Sequence, residues 1–169
     1  MVAILGLGDS LKEYQPEYDL AIGVNDIWRY VKTEVIVVLD YEKVFTPERL
    51  KVIKESKPTA FYSQIVNWDY RPDFKKIDLI PGYPDRLVDL EIAGFYKSFC
   101  SPFVAVQIAY KIYGSEEIHL FGVDLTNHPH LDFNICQKIK LHFRNLRNAL
   151  LVKGCQLVVH GNGILSPQI

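Results

Sequence analysis

The first ten residues carry the clearest candidate for ligand chemistry, a turn with glycines at alternate positions. The apolar run Val2–Leu5 leads directly into Gly6, Leu7, Gly8, Asp9 and Ser10. Glycine lets the backbone approach a bound anion closely, and the N–H groups after such a turn direct partial positive charge at it. Leu11 stands where a dinucleotide fingerprint has its third glycine, and the sequence has no P-loop motif. The turn therefore predicts either a phosphate site or a tight turn without a ligand.

Other polar residues follow later apolar runs, as expected for a site at the end of a sheet. They are Asn25 and Asp26 after the second run, Asp40 after the third, and Asp124 after Gly122. Ligands of parallel sheets bind beyond the carboxyl ends of the strands, so these side chains are expected to converge. Asn25 and Asp26 can contact a nucleotide or simply form a turn. Asp40 and Asp124 can bind a hydroxyl group, hold Mg²⁺ or cap backbone amides.

Two histidines separated by a proline, His128 and His130, lie between Asp124 and the last long helical pattern. Imidazole titrates near neutral pH, so either ring can serve as a general acid or base, although both can equally be ordinary residues of a surface loop. Of the other histidines, His119 lies in a strand pattern and is expected to be packed. His142 and His160 can belong to the surface or to the core.

Short apolar runs alternate with helical patterns, which is typical of a parallel sheet with crossover helices. The predicted strands are 2–5, 20–24, 35–39, 59–62, 118–121 and 156–159. Thr46 and Ser101, each followed by proline, are predicted to cap two helices, and a longer helix follows Asp132 or Asn134. These patterns predict a single α/β domain over residues 1–169, a Rossmann-like three-layer sandwich with a mostly parallel central sheet.

Residues 63–98 form the least regular part of the sequence, because Pro72, Pro81, Gly82 and Pro84 interrupt it. Only Asp85–Ala93 has a pattern that allows a short helix. A structureless segment of this length is unusual in a compact domain, so we expect a partly ordered excursion that covers a site.

Composition excludes several classes of protein. The chain has 169 residues, 49% of them hydrophobic, with a formal net charge of -1. This charge disfavours a general nucleic-acid binder. No apolar stretch approaches the roughly 20 residues of a membrane span, and the three widely spaced cysteines are expected to be reduced, so a cytoplasmic protein is predicted. Aromatic residues near 61–70 can form a lid, a core or the interface of a homo-oligomer.

Four blocks of sequence resemble a Rossmann-like superfamily that includes bacterial sialyltransferases of the Campylobacter type and archaeal 6-hydroxymethylpterin pyrophosphokinase-like proteins. The blocks are 4–12, 23–26, 98–101 and 118–124. In the sialyltransferases, the first block wraps the phosphate of a cytidine nucleotide sugar and has proline where this chain has Asp9.

The resemblance implies roles for individual residues. It implies that Gly8, Asp9 and Ser10 contact phosphate or ribose, that Asn25 touches the nucleotide, and that residues Ser98 to Ser101 line the opposite wall. It also implies that His130, or failing that His128, removes a proton from the acceptor hydroxyl. Gly6, Asp26 and Asp124, at the ends of the same predicted strands, complete the candidate nucleotide-binding set.

The favoured function is a nucleotide- or nucleotide-sugar-dependent transferase with sialyltransferase-like glycosyl transfer. One alternative is a Mg²⁺-dependent, pyrophosphokinase-like transferase in which Asp40 or Asp124 helps to hold the metal. The other alternative is a catalytically silent protein that binds a nucleotide or serves in assembly.

Overall fold

The computed structural model describes residues 1–64, 68, 71–126 and 131–165. The strands in these ranges are β1 (Val2–Leu5), β2 (Leu20–Val24), β3 (Val35–Val37), β4 (Ala60–Ser63), β5 (Phe74–Lys76), β6 (Leu79–Ile80), β7 (Phe95–Tyr96), β8 (Glu117–Phe121) and β9 (Gln156–Val159). The helices are α1 (Pro47–Glu55), α2 (Ser101–Lys111) and α3 (Phe133–Val152), accompanied by 3-10 turns at Asp9–Glu13, Ile27–Arg29 and Glu42–Val44.

Within the described ranges, seven strands form one sheet in the order β5-β4-β3-β2-β1-β8-β9, and all neighbouring pairs are parallel. Strands β6 and β7 form a separate parallel pair. The chain is an α/β protein with a Rossmann-like sheet, as the sequence predicts.

Both faces of the sheet are covered, which explains why its central strands are almost wholly apolar. Along β1, Val2 and Ile4 pack with residues of α2 and α3, whereas Ala3 and Leu5 face the cluster that contains Ile53 of α1. All four β1 residues are buried.

The predicted cap of α1 is confirmed, and of the two starts that the sequence allows for α3 the structure has the one after Asp132. The Thr46 hydroxyl accepts the N–H of Arg49, and the Asp132 carboxylate accepts the N–H of Ile135 at 2.8 Å. The predicted cap of α2 is wrong by one residue, because α2 begins at Ser101 and Cys100 is its N-cap. Ser101 is therefore part of the first turn, and its side chain is buried.

The last part of the irregular excursion, from Ile92 to Tyr96, lies against α2. Gln107 exchanges hydrogen bonds with both backbone groups of Tyr96, and the ammonium group of Lys111 donates to the carbonyl oxygens of Ile92 and Gly94. These contacts bury α2 between two layers.

The short helix allowed at Asp85–Ala93 is not formed, so that prediction is wrong. Val88 and Leu90 of this segment enter the same core cluster as α2 and α3, and the backbone N–H of Glu91 bonds to the Asp89 side chain. Tertiary packing and a local side-chain bond take the place of helical hydrogen bonds here. No helix in the described ranges is both long and apolar enough to cross a membrane.

The sheet order places the candidate site between β1 and β8. From β1 the chain builds the sheet outward through β2, β3, β4 and β5, whereas β8 and β9 lie on the other side of β1. In open parallel sheets, the point where the connections reverse direction leaves a crevice at the carboxyl ends of the strands. The glycine-rich loops after β1 and β8 both start at this point.

Candidate functional site

The loop after β1 is fastened to the loop after β8 by alternate backbone N–H groups. The N–H of Gly6 donates to the carbonyl oxygen of Phe121, and the N–H of Gly8 donates to that of Gly122, both at 2.8 Å. The N–H of Ser10 donates to the Asp124 carboxylate at 2.9 Å. Three donors that the sequence offers to a phosphate are therefore used inside the protein.

The intervening N–H groups, those of Leu7 and Asp9, behave differently. Neither donates to an acceptor within the residues that the structure describes, and both residues are exposed. Because successive N–H groups of this loop alternate in direction, the loop presents two donors outward while three hold it in place. This outward pair is the part of the loop able to bind an anion.

Both glycines of the first loop are explained by the close approach of the second loop. A Cβ atom on Gly6 would overlap the carbonyl group of Gly122, and one on Gly8 would stand 2.5 Å from the Asp124 carboxylate. Gly122 itself has a φ of 66°, in the left-handed region that glycine favours. Loop-to-loop packing thus requires small residues here with or without a ligand.

A third loop, Gly161–Gly163, closes over the same point. A Cβ atom on Gly161 would overlap the Cβ of Ser10, and one on Gly163 would overlap the backbone of Asp124. The N–H of Ile164 donates to the carbonyl oxygen of Asp124 at 2.8 Å. We call these three loops, 6–10, 122–125 and 161–164, the clasp.

Two predicted nucleotide ligands lie inside the clasp. The Ser10 hydroxyl accepts the N–H of Gly122 at 2.8 Å, and the side chains of Ser10 and Asp124 are almost fully buried. In this arrangement both residues join loops to one another, so their predicted contact with a nucleotide remains a prediction.

Asn25 stands at the end of β2 with an unusual conformation and an unsatisfied atom. Its φ is 53°, and its side-chain oxygen is buried without a hydrogen-bond partner among the described residues. Asparagine tolerates the left-handed region better than most residues, but an unpaired buried oxygen costs free energy. A ligand that donates a hydrogen bond would remove this cost.

Asp26, the next residue, has a structural partner. Its carboxylate accepts two hydrogen bonds from the guanidinium of Arg49, at 2.9 and 2.7 Å, and lies 3.4 Å from Arg29. The Asp26 side chain is only 2% exposed, so this ion pair fixes the turn that carries Asn25. Its predicted contact with a nucleotide is not tested by this geometry.

Asp40 and Asp124, the two candidate magnesium ligands, follow strands that are three places apart in the sheet. Neighbouring strands are about 4.8 Å apart, so the ends of β3 and β8 are separated by about 14 Å. Asp40 is exposed, and partial burial raises its pKa although Arg49 opposes the shift. This separation does not fit a single ion shared by both carboxylates. In the described ranges, no three or more metal-binding side chains are grouped.

The predicted opposite wall, 98–101, lies at the start of α2. Ser98 is half-buried and hydrogen bonds to His142 of α3 at 2.9 Å, whereas Ser101 is buried. His142, which the sequence allows at the surface or in the core, is fully buried. The candidate bases His128 and His130 lie outside the described residues, so their roles remain predictions.

His119 and His160 form a hydrogen-bonded chain on the opposite face of the sheet. Nε2 of His119 lies 2.8 Å from the carboxylate of Glu117, and its Nδ1 lies 2.8 Å from Nε2 of His160. The hydroxyl of Tyr18 is 3.3 Å from Nδ1 of His119, and the His160 ring stacks on Phe121. His119 is packed as the sequence predicts.

The His160 ring predicts a pH dependence of stability. Burial lowers its pKa below 6.5 and His119 lowers it further, whereas Glu13 opposes the shift. The folded protein therefore binds this proton less readily than the unfolded chain, so stability is full above pH 6.5 and falls as the pH drops through the lowered pKa. Because the ring is half-buried, its contribution should lower the free energy of unfolding by less than about 1 kcal/mol between pH 7.5 and pH 5. Urea unfolding at the two pH values measures this decrease. His160→Gln should remove part of this loss. An equal loss in the variant would contradict the assignment.

Several residues of this region were missed by sequence reasoning. Gly161 and Gly163 repeat the glycine spacing of the first loop, which was the available signal for them. No local pattern marked Arg49, because its partner Asp26 is distant in sequence and Arg49 occupies an ordinary helical position.

The sequence matches no protein-family model and no curated protein. One similar solved structure is a mutant of α-2,3/8-sialyltransferase CstII, with 16% identity, a TM-score of 0.48, and coverage of 99% of this chain and 89% of that one. Another is sialyltransferase CstII from Campylobacter jejuni in complex with the substrate analogue CMP-3FNeuAc. It has 17% identity, a TM-score of 0.49, and coverage of 99% of this chain and 88% of that one. At these identities and scores, neither the activity nor the analogue is transferred to this chain.

Proposed function

We propose that this chain is a nucleotide- or nucleotide-sugar-dependent transferase whose donor binds at the carboxyl ends of β1, β2 and β8. The observation that carries the proposal is the buried, unpartnered side-chain oxygen of Asn25 beside the switch point of the sheet. An amino group of a base or a ribose hydroxyl would supply the missing donor. The outward N–H groups of Leu7 and Asp9 would then face the phosphate.

The chemical step in this proposal is assisted by His130 or His128. The acceptor oxygen bonds to the sugar carbon of the donor while the bond from that carbon to the phosphate oxygen breaks, and the imidazole accepts the proton of the acceptor hydroxyl. The backbone donors at 7 and 9 stabilise the charge that develops on the departing phosphate. Single alanine variants at 128 and 130 are expected to lower turnover while leaving donor affinity unchanged.

The site is tested first by ligand-induced stabilisation. Binding to the folded state at 100 times the dissociation constant raises the free energy of unfolding by about 2.7 kcal/mol. Mono-, di- and triphosphates of the four nucleosides, together with nucleotide sugars, are screened by thermal shift with and without Mg²⁺. Stabilisation by a cytidine nucleotide without metal supports glycosyl transfer, and stabilisation by ATP only with Mg²⁺ supports the pyrophosphokinase-like alternative.

Replacement of Asn25 by glycine gives a sharper test. Glycine tolerates a φ of 53° and removes the unsatisfied oxygen, so the variant should be at least as stable as the parent. Its affinity for the stabilising nucleotide should fall about tenfold, the equivalent of one hydrogen bond of about 1.4 kcal/mol. Asn148→Ala, an exposed change on α3, serves as the control. Unchanged affinity in Asn25→Gly would contradict the role of Asn25.

A second candidate is a catalytically silent nucleotide-binding or assembly protein. The observation that favours it is the internal use of the N–H groups of Gly6, Gly8 and Ser10, which leaves the first loop with two outward donors. Failure of every nucleotide in the screen to stabilise the protein would favour a catalytically silent assembly protein over the transferase.

A further inference from the structure

A chain of hydrogen bonds outside the clasp joins a serine, a histidine and an aspartate. The Ser98 hydroxyl lies 2.9 Å from Nδ1 of His142, and Nε2 of the same ring lies 3.1 Å from the Asp85 carboxylate. Ser98 ends the excursion, Asp85 lies earlier in the same excursion, and His142 lies in the middle of α3. Their contact is therefore a product of the fold rather than of sequence proximity.

The Asp85 carboxylate determines which ring nitrogen of His142 carries the proton. An ionised carboxylate only accepts hydrogen bonds, so Asp85 is paired with an N–H at Nε2. A neutral imidazole then has an unprotonated Nδ1, which accepts the hydroxyl proton of Ser98. The Ser98 oxygen keeps its lone pairs for another partner, which is the arrangement of a nucleophile, a base and a group that orients the base.

The surroundings hold the histidine ring in place. His142 is fully buried, and its ring is stacked against Tyr83 at a centroid distance of 5.7 Å and against Phe99 at 6.1 Å. The Asp85 side chain is 63% exposed, so solvent reaches the end of the chain that carries the charge. Ser98 is half-buried, so its exposure is intermediate between that of His142 and that of Asp85.

Backbone donors follow the serine directly. The N–H groups of Phe99, Cys100 and Ser101 donate to no acceptor within the described part of the chain. Unpaired N–H groups next to a nucleophile can stabilise the oxyanion that forms when it attacks a carbonyl carbon. Burial raises the pKa of the neighbouring Cys100 thiol to about 12, so this thiol is protonated and does not compete as a nucleophile.

We propose that Ser98, His142 and Asp85 form a second reactive site, at which Ser98 accepts the acyl group of a carboxylic ester. The inference does not rest on the transferase function. An acyl group fits this site because backbone N–H groups can stabilise the oxyanion of a tetrahedral intermediate, and the stacked rings of Tyr83 and Phe99 offer an apolar wall that suits an uncharged ester. The substrate class is an ester with an apolar or aromatic acyl or alcohol part.

In the reaction, the Ser98 oxygen bonds to the carbonyl carbon while its proton passes to Nδ1 of His142. The bond from that carbon to the alcohol oxygen then breaks, and the alcohol leaves with the proton from Nδ1. Water attacks the acyl-serine with the help of the same base, which releases the carboxylic acid and restores the hydroxyl group. Asp85 is a positioning residue, since it acts only through His142.

The test uses the full chain and a fluorophosphonate ester, which phosphonylates activated serines with loss of fluoride. The expected result is one adduct per chain, located on Ser98 by peptide mass spectrometry and absent in Ser98→Ala. Hydrolysis of a p-nitrophenyl ester should follow the same pattern. An unlabelled Ser98 would overturn the proposal.

Variants of the two partners separate reactivity from structure. Asp85→Asn should slow labelling about tenfold or more, and His142→Gln about 100-fold or more, as expected for loss of a positioned base. Asp89→Asn, an exposed change in the same segment, should have no effect. Because Asp85 is exposed, its variant should fold even if His142→Gln does not. Equal labelling rates in Asp85→Asn and the parent would show that the cluster only pins the excursion to α3.

Discussion

Replacement of Gly6 by alanine is expected to lower the free energy of unfolding by about 2 to 3 kcal/mol, the cost of forcing an extra methyl group into a packed site. The new Cβ would overlap the carbonyl group of Gly122, which is backbone and cannot rotate away. For a chain of this size, the loss corresponds to a decrease in Tm of about 6 to 10 °C. Thermal and urea unfolding measure it directly.

Gly114→Ala is the matched control. Gly114 has a φ of 64° and nothing within 4 Å of an added Cβ, so alanine there suffers only the left-handed backbone, a cost of about 1 kcal/mol. Gly6 has no such positive φ, and its variant therefore reports the closeness of the two loops. A loss at Gly6 no larger than that at Gly114 would contradict the packing of the clasp.

Replacement of Arg49 by methionine is expected to cost about 3 kcal/mol or more, because it leaves the Asp26 carboxylate buried without its main partner. The guanidinium of Arg49 also lies over the Phe45 ring, with Cζ 5.1 Å from the ring centroid, so the loss reports the contacts of this group with both Asp26 and Phe45. Arg29→Met, which removes a half-exposed guanidinium 3.4 Å from the same carboxylate, should cost less than about 1 kcal/mol.

The double variant Asp26→Asn with Arg49→Met completes the test of this pair. Without the charge on Asp26, loss of Arg49 no longer strands an ion, so the double variant should be more stable than Arg49→Met alone. Equal costs for Arg49→Met and Arg29→Met would show that the short contacts between Arg49 and Asp26 contribute little to stability.

The sequence was most informative where one local pattern determines the outcome. Buried parallel strands require near-continuous apolar runs, and β1, β2 and β9 have the predicted boundaries. Strand β5 was not predicted because Phe74–Lys76 is short, half-polar and at the sheet edge. The prediction of a helix at 85–93 was wrong, because Val88 and Leu90 pack in the core with α2 and α3, and a local sequence pattern contains no information on such distant contacts.

The candidate site, too, was predictable only where a local sequence pattern determines the structure. The strand order brings the loops after β1 and β8 together, as expected from the alternation of strands and helices. The use of the glycines for packing between loops could not be read from their spacing, because a glycine required by a ligand and one required by a neighbouring backbone have the same sequence. The link between Ser98 and His142 depends on how α2 and α3 pack, which no local pattern encodes.

The clasp also determines when the site can come into existence. Its loops lie near opposite ends of the described chain, and β1 obtains its second neighbour only when β8 has been made. During synthesis, β1 can pair with β2 while its other edge stays open, and contacts between such distant segments form slowly. An emerging chain therefore passes through a stage with an exposed strand edge, prone to self-association, and without a ligand site. A ligand that binds at the ends of β1, β2 and β8 can assist folding only after β8 has been made.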